Sequence, residues 1–340
     1  MKRRTLIQAA LGLGLAAASP TLAACGSAES DTSDGSGGKK ITLGFSAWPG
    51  WFPWQVADEK GLFAKNGIQV ELKYFDSYTD SLNAMATGSI NANSQTLNDT
   101  LASVAGGSQQ TIVLTNDNST GNDAIIAREG IDTVADLKGK TVAAEQGTVD
   151  HFLLLLALEK AGLSEKDVNF KPLPTDAAAA AFAAGKVDAV GVFAPFTTTA
   201  LKLKGSKVIA SSRDFPGSIP DHTVVSPELA KNSPKTVQAL VDTWFETLGW
   251  ITDHHDEAVA IMAKRGGVSV ADYEAYDKGT TLFDTKANIE AFTPGSTDAN
   301  LDHQAKKIAD FLVSSKLVDT APKLDGLLDP TFIKKASTAG

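Results

Sequence analysis

Three of the chain's five tryptophans lie within eight residues, in the segment AWPGWFPW at positions 47–54. Residues 41–46 before it form a short strand-like run, and Pro49, Gly50 and Pro53 oppose its continuation. The sequence therefore predicts an aromatic loop at the C-terminal end of a first strand, where open α/β sheets bind their ligands. Aromatic faces at such a place can hold a ring or a cation. The alternative for each tryptophan is that it caps a hydrophobic core.

The motifs of familiar catalytic and metal sites are missing from the sequence. It has no Gly-x-Ser-x-Gly elbow, no phosphate loop of the Gly-x4-Gly-Lys-Ser/Thr kind, no Cys-x-x-Cys pair and no His-Glu-x-x-His motif. His254 and His255 are adjacent and would point about 100° apart on a helix, so they cannot chelate one ion together. A calcium loop starting at Asp117 would need Glu at its twelfth position, where Arg128 stands. We expect no catalytic residue, no metal and no cofactor.

Length and charge restrict the class of protein further. The 340 residues are 43% hydrophobic, which is enough for two domains with sizeable cores. The formal net charge is −9, although residues 1–24 contribute only positive charges, so the remainder is more acidic still. Nucleic-acid binding depends on Lys and Arg contacts to phosphate. The sequence therefore predicts no nucleic-acid partner.

The N-terminus has the pattern of a bacterial lipoprotein signal. Residues 2–4 are basic, residues 6–18 are apolar but too few to span a membrane comfortably, and LAAC at 22–25 resembles a lipobox. We expect a signal peptide over 1–24, lipidation of Cys25 and a flexible Gly/Ser/Asp-rich tether over 25–40. The paired arginines also admit twin-arginine export. These features predict an extracytoplasmic protein that a lipid anchors to the bacterial cell membrane.

The rest of the chain alternates strand and helix patterns in two series, which is typical of α/β sheets. In the first series, residues 94–96 are expected at the turn between a strand and a helix. Residues 116–123 are expected to form a polar turn that acts as a hinge or pocket wall. In the second series, Thr148 is expected to cap a helix over 149–161. A strand over 223–225 then returns to the first lobe.

Three segments resemble the solute-binding proteins of ABC importers for nitrate, taurine, aliphatic sulfonates and thiamine precursors. They are GFSAWPGWFPWQVADEKGLFAKNGIQVEL, GNDAIIAREGIDTVADLKGKTVAAEQGTVDHFLLLLALEKAGL and AAFAAGKVDAVGVFAPF, within a likeness over about residues 41–330. The resemblance implies a two-lobed periplasmic-binding-protein type II fold, each lobe a doubly wound mixed sheet, with the ligand cleft between the lobes. It places lobe 1 at 41–123 and 222–340 and lobe 2 at 124–221. The crossing segments fall near 122–127 and 220–225.

The same resemblance implies a function and a set of pocket residues. The protein would carry a small solute to an ABC permease with its ATPase subunits, as a monomer and without a cofactor. A related enzyme branch makes a thiamine pyrimidine with a cysteine-rich motif, which this single-cysteine chain lacks. Matching the family's pocket position by position gives these candidate ligand contacts: Trp48, Trp51, Trp54, Ser94, Gln95, Thr96, Asn116, Ser119, Asn122, Gly147, Thr148, Asp150, His151, Phe193 and Phe196.

The charge of these candidates bears on the solute. None of their loops contains Lys or Arg, and Asp150 lies in the first turn of a helix whose N-terminus would otherwise suit an anion. The alternative role for Asp150 is ordinary stabilisation of the helix dipole. If it faces the cleft, it repels anions, and the aromatic residues then favour a small cationic or neutral nitrogen compound, such as a guanidinium, an amine or a heteroaromatic base. Taurine, an alkylsulfonate or nitrate is the alternative solute.

Overall fold

The computed structural model describes residues 40–336, which contain two mixed β-sheets covered by helices. The predicted signal peptide, Cys25 and residues 25–39 of the predicted tether lie outside the described residues. The strands are β1 (Ile41–Phe45), β2 (Val70–Tyr74), β3 (Ala92–Thr96), β4 (Thr111–Ser119), β5 (Asp123–Ala127), β6 (Thr141–Ala144), β7 (Asn169–Pro172), β8 (Ala189–Phe193), β9 (Lys207–Ser211), β10 (Pro220–Val225) and β11 (Thr280–Leu282).

The helices cover both sheets, and the long C-terminal ones carry the apolar stripes that the sequence indicates. They are α1 (Pro53–Glu59), α2 (Leu62–Lys65), α3 (Tyr78–Ala86), α4 (Leu97–Ala105), α5 (Val149–Lys160), α6 (Thr175–Ala183), α7 (Phe196–Ala200), α8 (Pro227–Asn232), α9 (Pro234–Asp253), α10 (His255–Gly266), α11 (Val270–Tyr276), α12 (Thr285–Phe292), α13 (Leu301–Ser314) and α14 (Thr331–Ala336).

Both sheets are mixed: each contains a group of parallel strands and at least one strand that pairs with them in the antiparallel direction. The first sheet has the order β11-β4-β10-β3-β1-β2, with β1 parallel to β2 and β3 and with β10 antiparallel to β3 and β4. The second has the order β7-β6-β8-β5-β9, with β5 antiparallel to β8 and β9. Helices between the parallel strands close right-handed crossovers in such sheets. The prediction of two mixed α/β sheets is confirmed.

The chain changes sheet twice, and both passages lie beside each other. It leaves the first sheet between Ser119 and Asp123 and comes back between Ser211 and Pro220. At the first passage the Ser119 side chain hydrogen-bonds the Ser212 hydroxyl at 2.7 Å, which ties the two crossings together. We refer to the parts built around the first and second sheets as the first and second lobes.

Three segments expected as loops or turns are regular structure instead. Residues 47–54 form a 3₁₀ turn at Pro49–Trp51 followed directly by α1, because proline at the first helical position loses no hydrogen bond. Residues 116–119, expected in a polar turn, continue β4, because β10 and β11 pair with them on either side. Residues 94–96 are likewise the end of β3, and Thr96 caps α4 by accepting a hydrogen bond from the Asp99 N–H.

One buried asparagine fastens α12 to the sheet. The Asn288 side chain accepts a hydrogen bond from the Thr115 N–H at 2.9 Å and donates one to the Thr115 carbonyl at 3.0 Å. It also donates to the Phe283 carbonyl at 3.1 Å. Because these backbone groups lie in the interior, a missing partner would leave them unpaired away from water.

We expect Asn288→Ala to lower the free energy of unfolding by about 2–3 kcal/mol, since it leaves buried backbone groups of Thr115 without partners. Urea unfolding followed by tryptophan fluorescence measures the change. The matched control is Asn83→Ala, at an exposed position of α3, which should change stability by less than about 0.5 kcal/mol. Equal effects of the two substitutions would contradict this role of Asn288.

Candidate ligand-binding site

A small cavity lies between the two lobes, next to both chain crossings. It is enclosed by aromatic and acidic side chains and has a volume of about 10 Å³, enough for about one water molecule. The described conformation is therefore closed around this point. The lining residues are Trp48, Trp51, Tyr78, Thr96, Asp123, Val149, Phe193, Ile219 and Asp221.

Aromatic rings from both lobes form the walls. In the first lobe, the Trp51 ring packs against Tyr78 with ring centroids 5.5 Å apart, and Trp48 lies 6.4 Å from Trp51. Phe193, at the end of β8 in the second lobe, meets Trp48 and Tyr78 edge-on at 6.2 and 6.1 Å. Several aromatic rings from the two lobes thus surround one small volume.

Two buried aspartates, Asp123 and Asp221, line this cavity, and a third, Asp117, lies directly behind them. Asp117 and Asp221 are directly paired across β4 and β10, and Asp123 begins β5 on the other lobe. Asp117 accepts a hydrogen bond from the Trp48 indole N–H at 3.0 Å. A Cβ on Gly50 would lie 2.0 Å from the Asp117 carboxylate, so the close approach of the 3₁₀ turn to this aspartate requires glycine.

These carboxylates have few hydrogen-bond partners. Among the described residues the only hydrogen-bond partner of Asp221 is the neighbouring carboxyl of Asp117, and one oxygen of Asp123 lacks a partner. Within residues 40–336, no Lys or Arg forms an ion pair with any of the three. Like charges directly opposite on paired strands destabilise a sheet. Burial and proximity therefore favour the neutral, protonated forms of these groups, and a positive charge in the cavity would favour their ionisation.

Further carboxylates surround the three. Asp99 of the first lobe interacts with the Val149 N–H at the N-terminus of α5 and accepts a hydrogen bond from Thr96 at 2.7 Å. Asp150, in the first turn of α5, accepts a hydrogen bond from Thr175 at 2.6 Å. Glu145 accepts hydrogen bonds from the Thr175 N–H at 3.2 Å and, across the lobes, from the hydroxyl of Thr79. The N-terminus of α5 thus already faces a protein carboxylate.

Burial controls the protonation of this cluster. Desolvation raises the pKa of Asp123 to about 7 and that of Asp99 to about 7, although hydrogen bonds with Ser119 and Thr96, respectively, act in the opposite direction. It also raises the pKa of Asp221 well above its usual range, and the nearby charge of Asp117 adds to the effect. The cost of keeping all of these groups ionised therefore falls on the closed, ligand-free state.

Four of the predicted pocket residues line the cavity: Trp48, Trp51, Thr96 and Phe193. Phe196 packs edge-on against Phe193 at 5.5 Å and lines a neighbouring small cavity. Trp54 lies in the core instead, where it stacks on Phe63 and packs on Trp244.

The predicted polar residues of the first lobe mostly serve the interior. Ser94 accepts a hydrogen bond from the Trp54 indole at 3.1 Å. The Gln95 amide donates to Thr100 and Gln110, and Asn116 accepts a hydrogen bond from Thr223. Ser119 and Asn122 lie at the crossing, where the Asn122 amide donates to the Tyr276 carbonyl at 2.7 Å and to the Thr280 hydroxyl at 2.7 Å.

The predicted residues at the start of α5 surround the cavity without lining it. The Thr148 hydroxyl donates to the Glu145 carbonyl at 3.0 Å, and the Gly147 N–H donates to the His151 ring at 3.3 Å. His151 stacks on Phe170 and hydrogen-bonds Glu165 at 2.6 Å. It lines a different cavity from the one between the lobes. Val149, rather than Asp150, contributes the side chain at the cavity wall.

The sequence did not single out five of the lining residues: Tyr78, Asp123, Val149, Ile219 and Asp221. The sequence does contain a feature that could have indicated the two aspartates as cavity residues. Each lies near the start of a predicted crossing segment, where both lobes are close. Their pairing with Asp117 needs the register of β10 on β4, which contains shifts that no sequence pattern reveals.

Metal and membrane features are not found in the described part of the chain. Residues 40–336 contain no group of three or more His, Cys, Asp or Glu side chains placed to hold a metal ion. In the same range, no helix combines the length and apolar character needed to cross a bilayer.

The two-lobed architecture and the interlobe cavity define a periplasmic-binding-protein type II fold. The alkanesulfonate-binding protein SsuA from Xanthomonas axonopodis pv. citri, solved bound to MOPS, superposes with a TM-score of 0.72 at 23% identity, over 85% of this chain and 98% of that one. At this identity the likeness shows the fold alone.

Residues 34–265 match the model of the NMT1-like family, and the chain belongs to that family. A binding protein of Brucella abortus is 28% identical over 263 residues, which are 75% of this chain and 80% of that protein. A Bacillus subtilis protein named as an aliphatic sulfonates-binding protein is 27% identical over 321 residues, 93% of each chain. The expected resemblance to ABC-importer solute-binding proteins is confirmed.

The raised pKa of Asp123 gives stability a defined pH dependence. A carboxylate whose folded pKa exceeds its unfolded value of 3.8 stabilises the fold at low pH, and this contribution is lost as the pH rises towards 7. Asp123→Asn removes that loss. We expect the stability of the variant relative to the unsubstituted protein to rise by about 2–3 kcal/mol from pH 5 to pH 8.

Urea unfolding at the two pH values measures this difference. The control is Asp136→Asn, because a hydrogen bond from Thr133 lowers the pKa of Asp136 and its contribution is lost only in more acidic solution. Its difference from the unsubstituted protein should stay constant from pH 5 to pH 8. A constant difference for Asp123→Asn as well would contradict the burial of an uncompensated carboxylate.

Proposed function

We propose that this protein is the extracytoplasmic solute-binding component of an ABC importer and that its solute is a small nitrogen-containing cation. The observation that carries the choice of solute is that Asp123 and Asp221 line an aromatic cavity, with Asp117 paired beside Asp221, and that none of the three has a basic partner in residues 40–336. Family membership and fold support the transport role.

Charge and aromaticity act together in this site. A cation over a Trp, Tyr or Phe face gains about 0.5–2 kcal/mol, more when the site is desolvated. The cavity offers Trp48, Trp51, Tyr78 and Phe193 within one closed space. A cation there would also let the aspartates ionise at neutral pH, since opposite charge lowers a raised carboxylate pKa. A neutral nitrogen compound would gain only part of this stabilisation.

An anionic solute is the alternative, and the names of relatives favour it. The Bacillus subtilis protein is named for aliphatic sulfonates. In this chain, however, the N-terminus of α5 faces the Asp99 carboxylate, so the helix end that would attract an anion is already compensated. A sulfonate in the cavity would also stand beside Asp123 and Asp221. The charge of the site therefore supports the cation over the sulfonate.

Closure follows from the position of the carboxylates on different lobes. Asp221 belongs to a strand of the first sheet and Asp123 to the second, so bringing the lobes together without a cation brings like charges together. A cation reverses this penalty only in the closed form. A ligand shifts a conformational equilibrium by its differential affinity for the two states, and this site provides that difference.

Several further parts of the proposal concern the context of the protein. We include a signal peptide over 1–24, lipid attachment at Cys25, a tether over 25–40 and delivery of the solute to a permease as a monomer. We also propose that the first lobe comprises residues 41–123 and 222–340 and that the second lobe comprises residues 124–221. Mass spectrometry of the mature N-terminus would test the acylation. A turnover screen would expose the rival role of an enzyme related to thiamine-pyrimidine synthesis.

A thermal-shift comparison of cations and anions tests the proposed solute class. Small ammonium, amidinium and guanidinium salts are compared with taurine, methanesulfonate and nitrate on the protein at pH 8. A cation at 100 times its dissociation constant should add about 2.7 kcal/mol to the free energy of unfolding. Stabilisation by taurine or a sulfonate and by none of the cations would overturn the proposal.

A variant of the aromatic wall localises the effect. Trp51→Ala should weaken binding of the stabilising cation by about tenfold or more, since it removes a ring from the cavity. The matched control is Trp250→Ala, which removes a half-buried tryptophan of α9 outside the cavity and should leave the affinity unchanged. Equal affinities of both variants would place the ligand elsewhere.

A further inference from the structure

The unpaired acceptors at the cavity indicate what the ligand must bring besides charge. Asp221 is 1% exposed and lines the cavity, and its only hydrogen-bond partner among the described residues is the neighbouring carboxyl of Asp117. Asp123, also buried, leaves one oxygen unpaired. Buried polar atoms in folded proteins almost always have a partner, and ionised ones need more than one.

The protein itself has few donors left for these oxygens. The Trp48 indole N–H is committed to Asp117, and the Thr96 hydroxyl donates to Asp99. The Trp51 indole N–H is a buried donor at the cavity without a partner in residues 40–336. One indole N–H and the hydrogen bond shared by Asp117 and Asp221 leave several carboxylate oxygens open to further donors. A solute in the cavity can supply those donors.

The directions of the acceptors restrict the arrangement of those donors. Asp221 and Asp117 are neighbours across two strands of the first sheet, whereas Asp123 pairs with Phe193 in the second sheet. A single solute between them must therefore donate towards both lobes. A quaternary ammonium has no N–H groups and would leave every one of these oxygens unpaired.

Space and ring geometry restrict the shape. The cavity of about 10 Å³ lies among rings whose centroids are 5.5 to 6.4 Å apart, so only a compact solute is compatible with a similar degree of closure. A planar group can lie along an aromatic face while its edges donate in the plane. Guanidinium groups combine such stacking with paired N–H donation to carboxylates.

Building on the proposed function, we infer that the solute is a compact planar cation of the guanidinium or amidinium class. Its N–H groups donate to Asp221 on one lobe and Asp123 on the other, and its face lies against the rings around Trp51. This assignment goes beyond the charge of the ligand, since it separates N–H-bearing planar cations from quaternary ammonium ions of equal charge.

Titration calorimetry at pH 8 with guanidinium chloride, acetamidinium chloride and tetramethylammonium chloride tests this class. The planar cations should bind at least 100-fold more tightly than tetramethylammonium, with sodium chloride as the salt control. Equal or tighter binding of tetramethylammonium would overturn the inference and leave the proposed function standing. Binding of taurine with none of the cations would overturn the proposed function itself.

Two isosteric variants then test the two contacts. Asp221→Asn and Asp123→Asn, on opposite lobes, should each weaken guanidinium binding by at least tenfold, and either one suffices if the other fails to fold. The control is Asp310→Asn, the same change at an exposed position of α13, which should leave the affinity unchanged. Unchanged guanidinium affinity in a folded Asp221→Asn or Asp123→Asn protein would contradict the assigned contact.

Discussion

The burial of several carboxylates without a positive partner is the constraint on which the rest of this structure depends. A lone buried charge is costly enough that proteins usually pair it or neutralise it by protonation. Here Asp123 and Asp221 line one cavity and Asp117 is paired beside Asp221, and burial moves the pKa values of all three upwards. The fold accepts this cost at the junction of its lobes, where a bound cation would cancel it.

The surrounding structure fixes the geometry of that junction. The pairing of β10 with β4 places two aspartates side by side, and the absence of a side chain at Gly50 lets the 3₁₀ turn approach one of them. This 3₁₀ turn also positions Trp48 and Trp51 at the cavity. Rings, carboxylates and crossings therefore form one unit, and closing the lobes completes it.

The sequence predicts the fold and part of this unit. Alternating strand and helix patterns, together with the family resemblance, predict the two mixed sheets, and Pro, Gly and Trp at 47–54 locate the aromatic side of the cavity. The positions of the carboxylates do not follow from the sequence in the same way. The sequence favours Asp150 as a pocket residue, but its side chain hydrogen-bonds Thr175. Asp117 and Asp221 come together only through strand register. Register over a shifted antiparallel pair depends on tertiary packing, which local patterns do not encode.

A comparison of guanidinium with urea tests the central claim most directly, because the two molecules share shape and N–H donors and differ mainly in charge. Titration calorimetry of the protein with each, at pH 8 and equal ionic strength, measures mainly the contribution of charge. Guanidinium should bind at least 100-fold more tightly than urea. Equal affinity for both, or binding of neither, would contradict the claim that the buried aspartates select a cation.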